Sequence, residues 1–315
     1  MKKTMLSIIT LLFCGILIGQ TGANLRIDLE KNKVYRLRAT SEQTILQTVN
    51  GNQQTIESKS GYTVSLKMLD TTPAFVVIEV RFDTVDTKTN TMGKSIRMSS
   101  ATEGNIQSKE TSDIMSYFMN RLSRNPLYAK MDFTGKVTEI VNSKMLSDMI
   151  LKDTSSITLT GPVASALKTQ IVNMVSDDTF RTIIEMFTNY LPGKIVNAGD
   201  NWSIANTTNT GGMSLDITTS FHLNGISGNN ADITAESDIR ASVNAAPMES
   251  GGAKITYDDL QGLSKSTIII DIRTGLVVEA NSKTRIAGNL GVSMPGMSMQ
   301  IPMDINSDAK VASVQ

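Results

Sequence analysis

The feature that most constrains this chain is a period of two. Over most of its length apolar and polar residues alternate one for one, which fits extended strands with one dry and one wet face. Leu25, Ile27 and Leu29 alternate with Arg26, Asp28 and Glu30; Tyr62, Val64, Leu66 and Met68 with Thr63, Ser65, Lys67 and Leu69; Ala74, Val76, Ile78, Val80 and Phe82 with Phe75, Val77, Glu79 and Arg81. Further on, Leu215, Ile217 and Phe221 share a parity, as do Ile233, Ile239 and Val243, and then Ile268, Ile270 and Ile272. A wet face on every strand predicts antiparallel sheet.

The middle of the chain changes period. From Ser112, Ile114 or Met115, Phe118 and Leu122 recur at helical spacing and predict a short helix near 112–124; Met145, Met149 and Ile150 do so again. Gly161-Pro162 opens a further helix with proline at a favoured first position, and Val163, Leu167, Ile171 and Val175 form its stripe. Ser176 before Asp177 and Asp178 reads as the cap of the next, which Phe180, Ile183, Ile184, Phe187 and Leu191 line and Pro192-Gly193 ends. The expectation is an α+β protein: a β-rich half over 24–141, a helical segment over 142–191 and a second β-rich half over 192–315, with a curved sheet wrapping the helices.

Residues 1–23 read differently. Lys2 and Lys3 precede an apolar stretch from Met5 to Ile18, and small or polar residues follow from Gly19 to Ala23, the layout of a secretory leader. The apolar stretch is shorter than the roughly 20 residues needed to span a bilayer, so the expectation is an exported protein, periplasmic or at the cell surface, that does not span the membrane. Cys14, the one cysteine, follows Phe13 and sits inside the apolar stretch, so it reads as leader filler and not as a lipid attachment site. Cleavage near Gly19 or Ala23 leaves no thiol for a disulfide, a zinc site or a nucleophile.

Thirty basic and thirty acidic residues are spread without runs, which argues against a nucleic-acid surface and against a polybasic membrane patch. The strand-rich halves share a turn. Thr134-Gly135-Lys136-Val137-Thr138-Glu139 and Thr274-Gly275-Leu276-Val277-Val278-Glu279 have a common T-G-x-V-x-E core, with glycine where a hairpin needs positive φ. Together with Lys33-Val34-Tyr35 near the start, the stretches Asp132 to Val137, Pro192 to Trp202 and Ile270 to Val277 resemble the DUF6263 family of bacterial envelope proteins. The resemblance implies export and a strand-rich architecture. Its motifs are turns and strands, and it brings no established activity.

Candidate chemistry is sparse. His222, the one histidine, has the parity of Asp216, Thr218, Ser220 and Asn224 and reads as a surface residue; no G-x-S-x-G accompanies it. Trp202, the one tryptophan, follows a Gly-Asp turn and reads as a packing residue; a carboxylate-pair hydrolase is the remaining enzymatic alternative. Between Met294 and Met303 methionines cluster as soft Cu(I) ligands would, but Met297, Met299, Ile301, Met303 and Ile305 share one parity and Ser298, Gln300, Pro302, Asp304 and Asn306 the other, which is an amphipathic strand with its prolines on the wet side. No cofactor or metal is expected. With 18 methionines, the chain is rich in side chains that fill irregular apolar spaces. The expected function is non-enzymatic binding of a lipid or other apolar small molecule between sheet and helices, with Phe180, Ile184, Phe187, Met297, Met299 and Met303 as candidate lining. The alternative is a packed scaffold that meets an envelope protein partner.

Overall fold

The computed structural model describes residues 22–49, 51–210, 213–243, 245, 247–250, 253–294 and 296–314. The expected leader up to residue 21, Cys14 included, lies outside the described residues. In chain order the elements are β1 (Ala23–Leu25), β2 (Val34–Val49), β3 (Asn52–Thr71), β4 (Val76–Thr91), β5 (Lys94–Ser99), α1 (Thr111–Ser123), β6 (Leu127–Met131), β7 (Val137–Ile140), α2 (Ser143–Leu151), α3 (Gly161–Met174) and α4 (Asp177–Thr188). They continue with β8 (Lys194–Val196), β9 (Asn201–Thr210), β10 (Met213–Ser227), β11 (Asn230–Ala241), β12 (Met248–Ser250), β13 (Ala253–Asp271), β14 (Val277–Met294) and β15 (Met297–Val314).

Thirteen strands form one large, curved antiparallel sheet in the order β7-β6-β4-β3-β2-β15-β14-β13-β11-β10-β9, with β5 beside β4 and β12 beside β13. The two strand-rich stretches therefore share a sheet, joined where the last strand pairs with β2 through Ile305 opposite Ile45. Register shifts at Thr63/Val64, Met68/Asp70, Leu223/Gly225 and Asp258/Gln261 mark bulges, which increase local twist and bend the strands. Pro302 sits where it can be tolerated. Met297 to Pro302 pair with β14 alone, and β2 joins only from Met303 onward, so Pro302 stands outside the ladder with β2, on a stretch that is an edge on that side.

The main core lies between the inner sheet face and the helices: α1 meets β4 and β5, and α4 meets β7 and β9. Leu37, Val64, Leu66, Ile78, Val80, Phe82, Ile233, Ile268 and Ile270 come from the sheet, and the Phe82 and Phe180 rings approach to 6.0 Å. A smaller cluster of Leu215, Ile239, Leu260, Ile286, Met303 and Ile305 occupies the other end of the same face. Among the described residues no helix is long and apolar enough to cross a membrane.

The α4 boundaries follow the sequence signals. Ser176 accepts the Thr179 N–H at 3.2 Å, and Pro162 stands in the first turn of α3. Two stripes hold except at their first residue, where the neighbouring position faces inward instead. In α2 the inward residues are Leu146 and Ile150 while Met145 is 66% exposed; in α3 Ala164, Leu167 and Ile171 face inward and Val163 outward. Val243 is also exposed, because β11 ends at Ala241 and parity has no meaning beyond the strand.

Candidate ligand cavity

Amphipathic α4 sends Phe180, Ile183, Ile184 and Phe187 into the main core. Its neighbouring face, Asp178, Arg181, Thr182, Glu185 and Asn189, recurs at the same three- and four-residue spacing and looks across β9. Three contacts hold it there: Asn209 Nδ2 donates to Asp178 at 3.2 Å, the Thr182 and Thr208 hydroxyls lie 3.4 Å apart, and Asn189 Nδ2 reaches Asn206 Oδ1 at 3.5 Å.

Between this face and the sheet lies a cavity of about 440 Å³, floored by side chains of β10, β11, β13 and β14. Its existence follows from side-chain size. The inner-facing positions change from Ile268 and Phe221 to Ser264, Ser266, Ala235, Ser237 and Ser282, too short to reach the helix. These hydroxyls satisfy one another: Thr219 with Ser237 at 2.9 Å, Ser266 with Ser282 at 2.7 Å, and Thr284 donating to Ser264 at 2.8 Å. The small rungs continue across the sheet in register, from Ser282 to Ala309, Ser41, Ser60 and Thr87. Each hydroxyl of these pairs has a partner, and together the short side chains offer a narrow polar surface along the cavity floor.

Charge in the cavity is unevenly partnered. Asp178 is exposed at the margin, and the Glu185 carboxylate turns toward β7, accepting the Val137 N–H at 2.8 Å. Burial pushes the Glu185 carboxyl above its ordinary range, opposed by that hydrogen bond and by the charges of Arg181 and Lys136. Arg181 has its Nε buried without an acceptor. At the inner end the Tyr190 hydroxyl donates to the Met186 carbonyl, and burial raises the phenol well above its usual value. Trp202 closes this end, stacked on Phe221 at 5.4 Å with its indole N–H donating to the Tyr190 carbonyl at 3.1 Å.

The sequence profile described as "Family of unknown function (DUF6263)" matches residues 74–277. The chain belongs to the DUF6263 family. Every cavity-lining residue except Ser282 falls within the matched span. No curated protein is similar enough to match. Among solved structures, the one titled "Lipid-protein interactions in lipovitellin" aligns with a TM-score of 0.48 and 9% identity over 91% of this chain, which spans 26% of the lipovitellin chain. An outer membrane channel from Pseudomonas putida F1 aligns with a TM-score of 0.25 and 8% identity over 91% of this chain and 97% of its own. OccK11 from Pseudomonas aeruginosa gives 0.23 and 6% over 91% and 99%.

In this DUF6263 chain the six residues expected to line a shared cavity fall in separate places. Phe180, Ile184 and Phe187 are fully buried in the main core. Met303 belongs to the smaller cluster, Met299 is half-buried, and Met297 is 52% exposed near the β14–β15 turn. None of the six is among the residues lining the cavity under α4. His222 is exposed, its Nδ1 3.0 Å from Asn201 Oδ1. Sequence reasoning missed Arg181, Glu185 and the serine rungs because hydroxyl residues read as a wet face. The available signal was parity: Ser264 and Ser266 share the phase of Ile268 and Ile270 and so face inward.

Asp178 and Glu185 are the cavity's two carboxylates. Seven residues apart on one helix, their backbones are about 10.5 Å from each other. The Glu185 carboxylate is also engaged by β7 through the Val137 N–H.

Proposed function

We propose that this protein is a non-enzymatic binding protein of the cell envelope, exported by its leader, which holds a lipid-like amphiphile between α4 and the sheet. The observation that carries this reading is the 440 Å³ cavity, whose size falls within the range of about 300 to 1,000 Å³ common for small-molecule sites. Its walls have the two characters an amphiphile needs. Ile217, Phe221, Ile268 and Met186 are apolar, while Arg181, Thr182 and Asn189 are polar and lie together on α4. The serines between them are already paired with neighbouring hydroxyls and are short enough to leave room for a chain passing over the sheet.

Extraction and mass spectrometry of the natively purified protein should yield a co-purifying amphiphile. Filling the cavity tests the site: Ser237→Phe, at a half-buried lining position, should abolish binding of a fluorescent fatty acid and leave the folded state intact by circular dichroism. Unchanged probe binding in that variant, or no binding by the wild type, would refute the cavity as the site.

A further inference from the structure

The Nε of Arg181, on the α4 face that lines the cavity, is buried without an acceptor. A buried N–H without an acceptor is costly and uncommon in folded proteins. Among the described residues two arginines have such an Nε, Arg26 and Arg181. Arg26 has compensation of another kind, since its guanidinium carbon lies 4.2 Å from the centre of the Phe133 ring. Arg181 has no ring contact, hydrogen bond or ion pair among the described residues. Among the described residues it is also the only cation lining the cavity; Asp178 accepts from the Asn209 amide and Glu185 from the Val137 N–H, and the charge of Arg181 acts on Glu185 without forming an ion pair with either.

We propose that Arg181 receives the anionic group of the amphiphile, a carboxylate or a phosphate, while its chain runs over Ile217, Phe221 and Ile268; this rests on the binding function proposed above. Guanidinium is suited to either group because its donors form a planar fork that grips two oxygens at once.

Displacement of a fluorescent fatty acid from the purified full chain at pH 8, with dodecanoate, dodecyl phosphate, dodecanol and inorganic phosphate as competitors, tests this. Dodecanoate and dodecyl phosphate should displace the probe at concentrations about ten- to a hundredfold below dodecanol, the range expected for a charge-assisted hydrogen bond. Arg181→Gln should remove that difference and leave dodecanol unchanged, with Arg181→Lys between the two. Equal potency of dodecanoate and dodecanol on the wild type would overturn the role of Arg181 while leaving the cavity's function standing. Inorganic phosphate as potent as dodecyl phosphate would overturn the amphiphile and point to a free anion. Failure of all four competitors to bind would overturn both proposals.

Discussion

At the scale of single residues, burial decides which methionines and phenylalanines matter. Met303 is 6% exposed and Phe187 fully buried, so Met303→Ala should cost about 2 to 5 kcal/mol and Phe187→Ala about 3 to 5 kcal/mol in urea unfolding, whereas Met297→Ala should change little. Because Phe187 packs in the core and does not line the cavity, no part of its penalty should be relieved by an added ligand. Glu185 supplies a pH signature. Its pKa in the folded chain is raised above 4.5 by burial, so the native state holds its proton more tightly than the unfolded chain. That contribution is complete below pH 4.5 and is lost as pH rises through the raised value. Glu185→Gln should therefore melt above the wild type at pH 7, and the difference should shrink at pH 4. A constant difference across that range would show that the carboxyl does not titrate in this way.

At the scale of elements, α4 is where sequence and structure meet most closely. Its cap, acidic first turn and terminal Pro-Gly are local signals, and Ser176→Ala should cost about 0.5 to 2 kcal/mol through loss of the hydrogen bond from Thr179. A loosened first turn holds Arg181 less firmly, so dodecanoate should compete less well in that variant, checked in the same displacement assay. The strands were legible because parity is also local: β3, β4, β11 and β13 bury the residues that alternation assigns inward. Their order in the sheet was not legible, since pairing depends on contacts between residues such as Ile45 and Ile305 that are far apart in the chain. The cavity was not legible for a similar reason. It arises only when short side chains on four strands come into register beneath one helix, and no window of sequence contains them together.

At the scale of the whole molecule, the two T-G turns are tied to distant parts of the chain. The segment after β1 donates the Ile27 N–H to the Phe133 carbonyl at 2.9 Å and the Asp28 N–H to the Thr274 carbonyl at 3.0 Å, so one extended segment bridges both hairpins. Gly135 and Gly275 have φ of +88° and +73°, and a Cβ would stand 1.9 Å from the Thr188 carbonyl oxygen in the first case and 2.3 Å from the Arg26 carbonyl oxygen in the second. Gly228 also has positive φ but faces open space. Alanine at Gly228 should then cost about 1 kcal/mol of backbone strain, and at Gly135 or Gly275 clearly more, measured by chemical unfolding. Equal losses at all three would mean that the close approaches are not constraining. The place of β15 has a temporal consequence. Its 18 residues lie between β2 and β14, and synthesis proceeds from the N-terminus, so the strand that forms the seam of the sheet emerges after every other described strand. Until it arrives, β2 and β14 are bare edges open to pairing with any other strand. Closure of the seam must therefore wait for β15, and a chain cut short before Met297 would leave one side of β2 and one side of β14 unpaired.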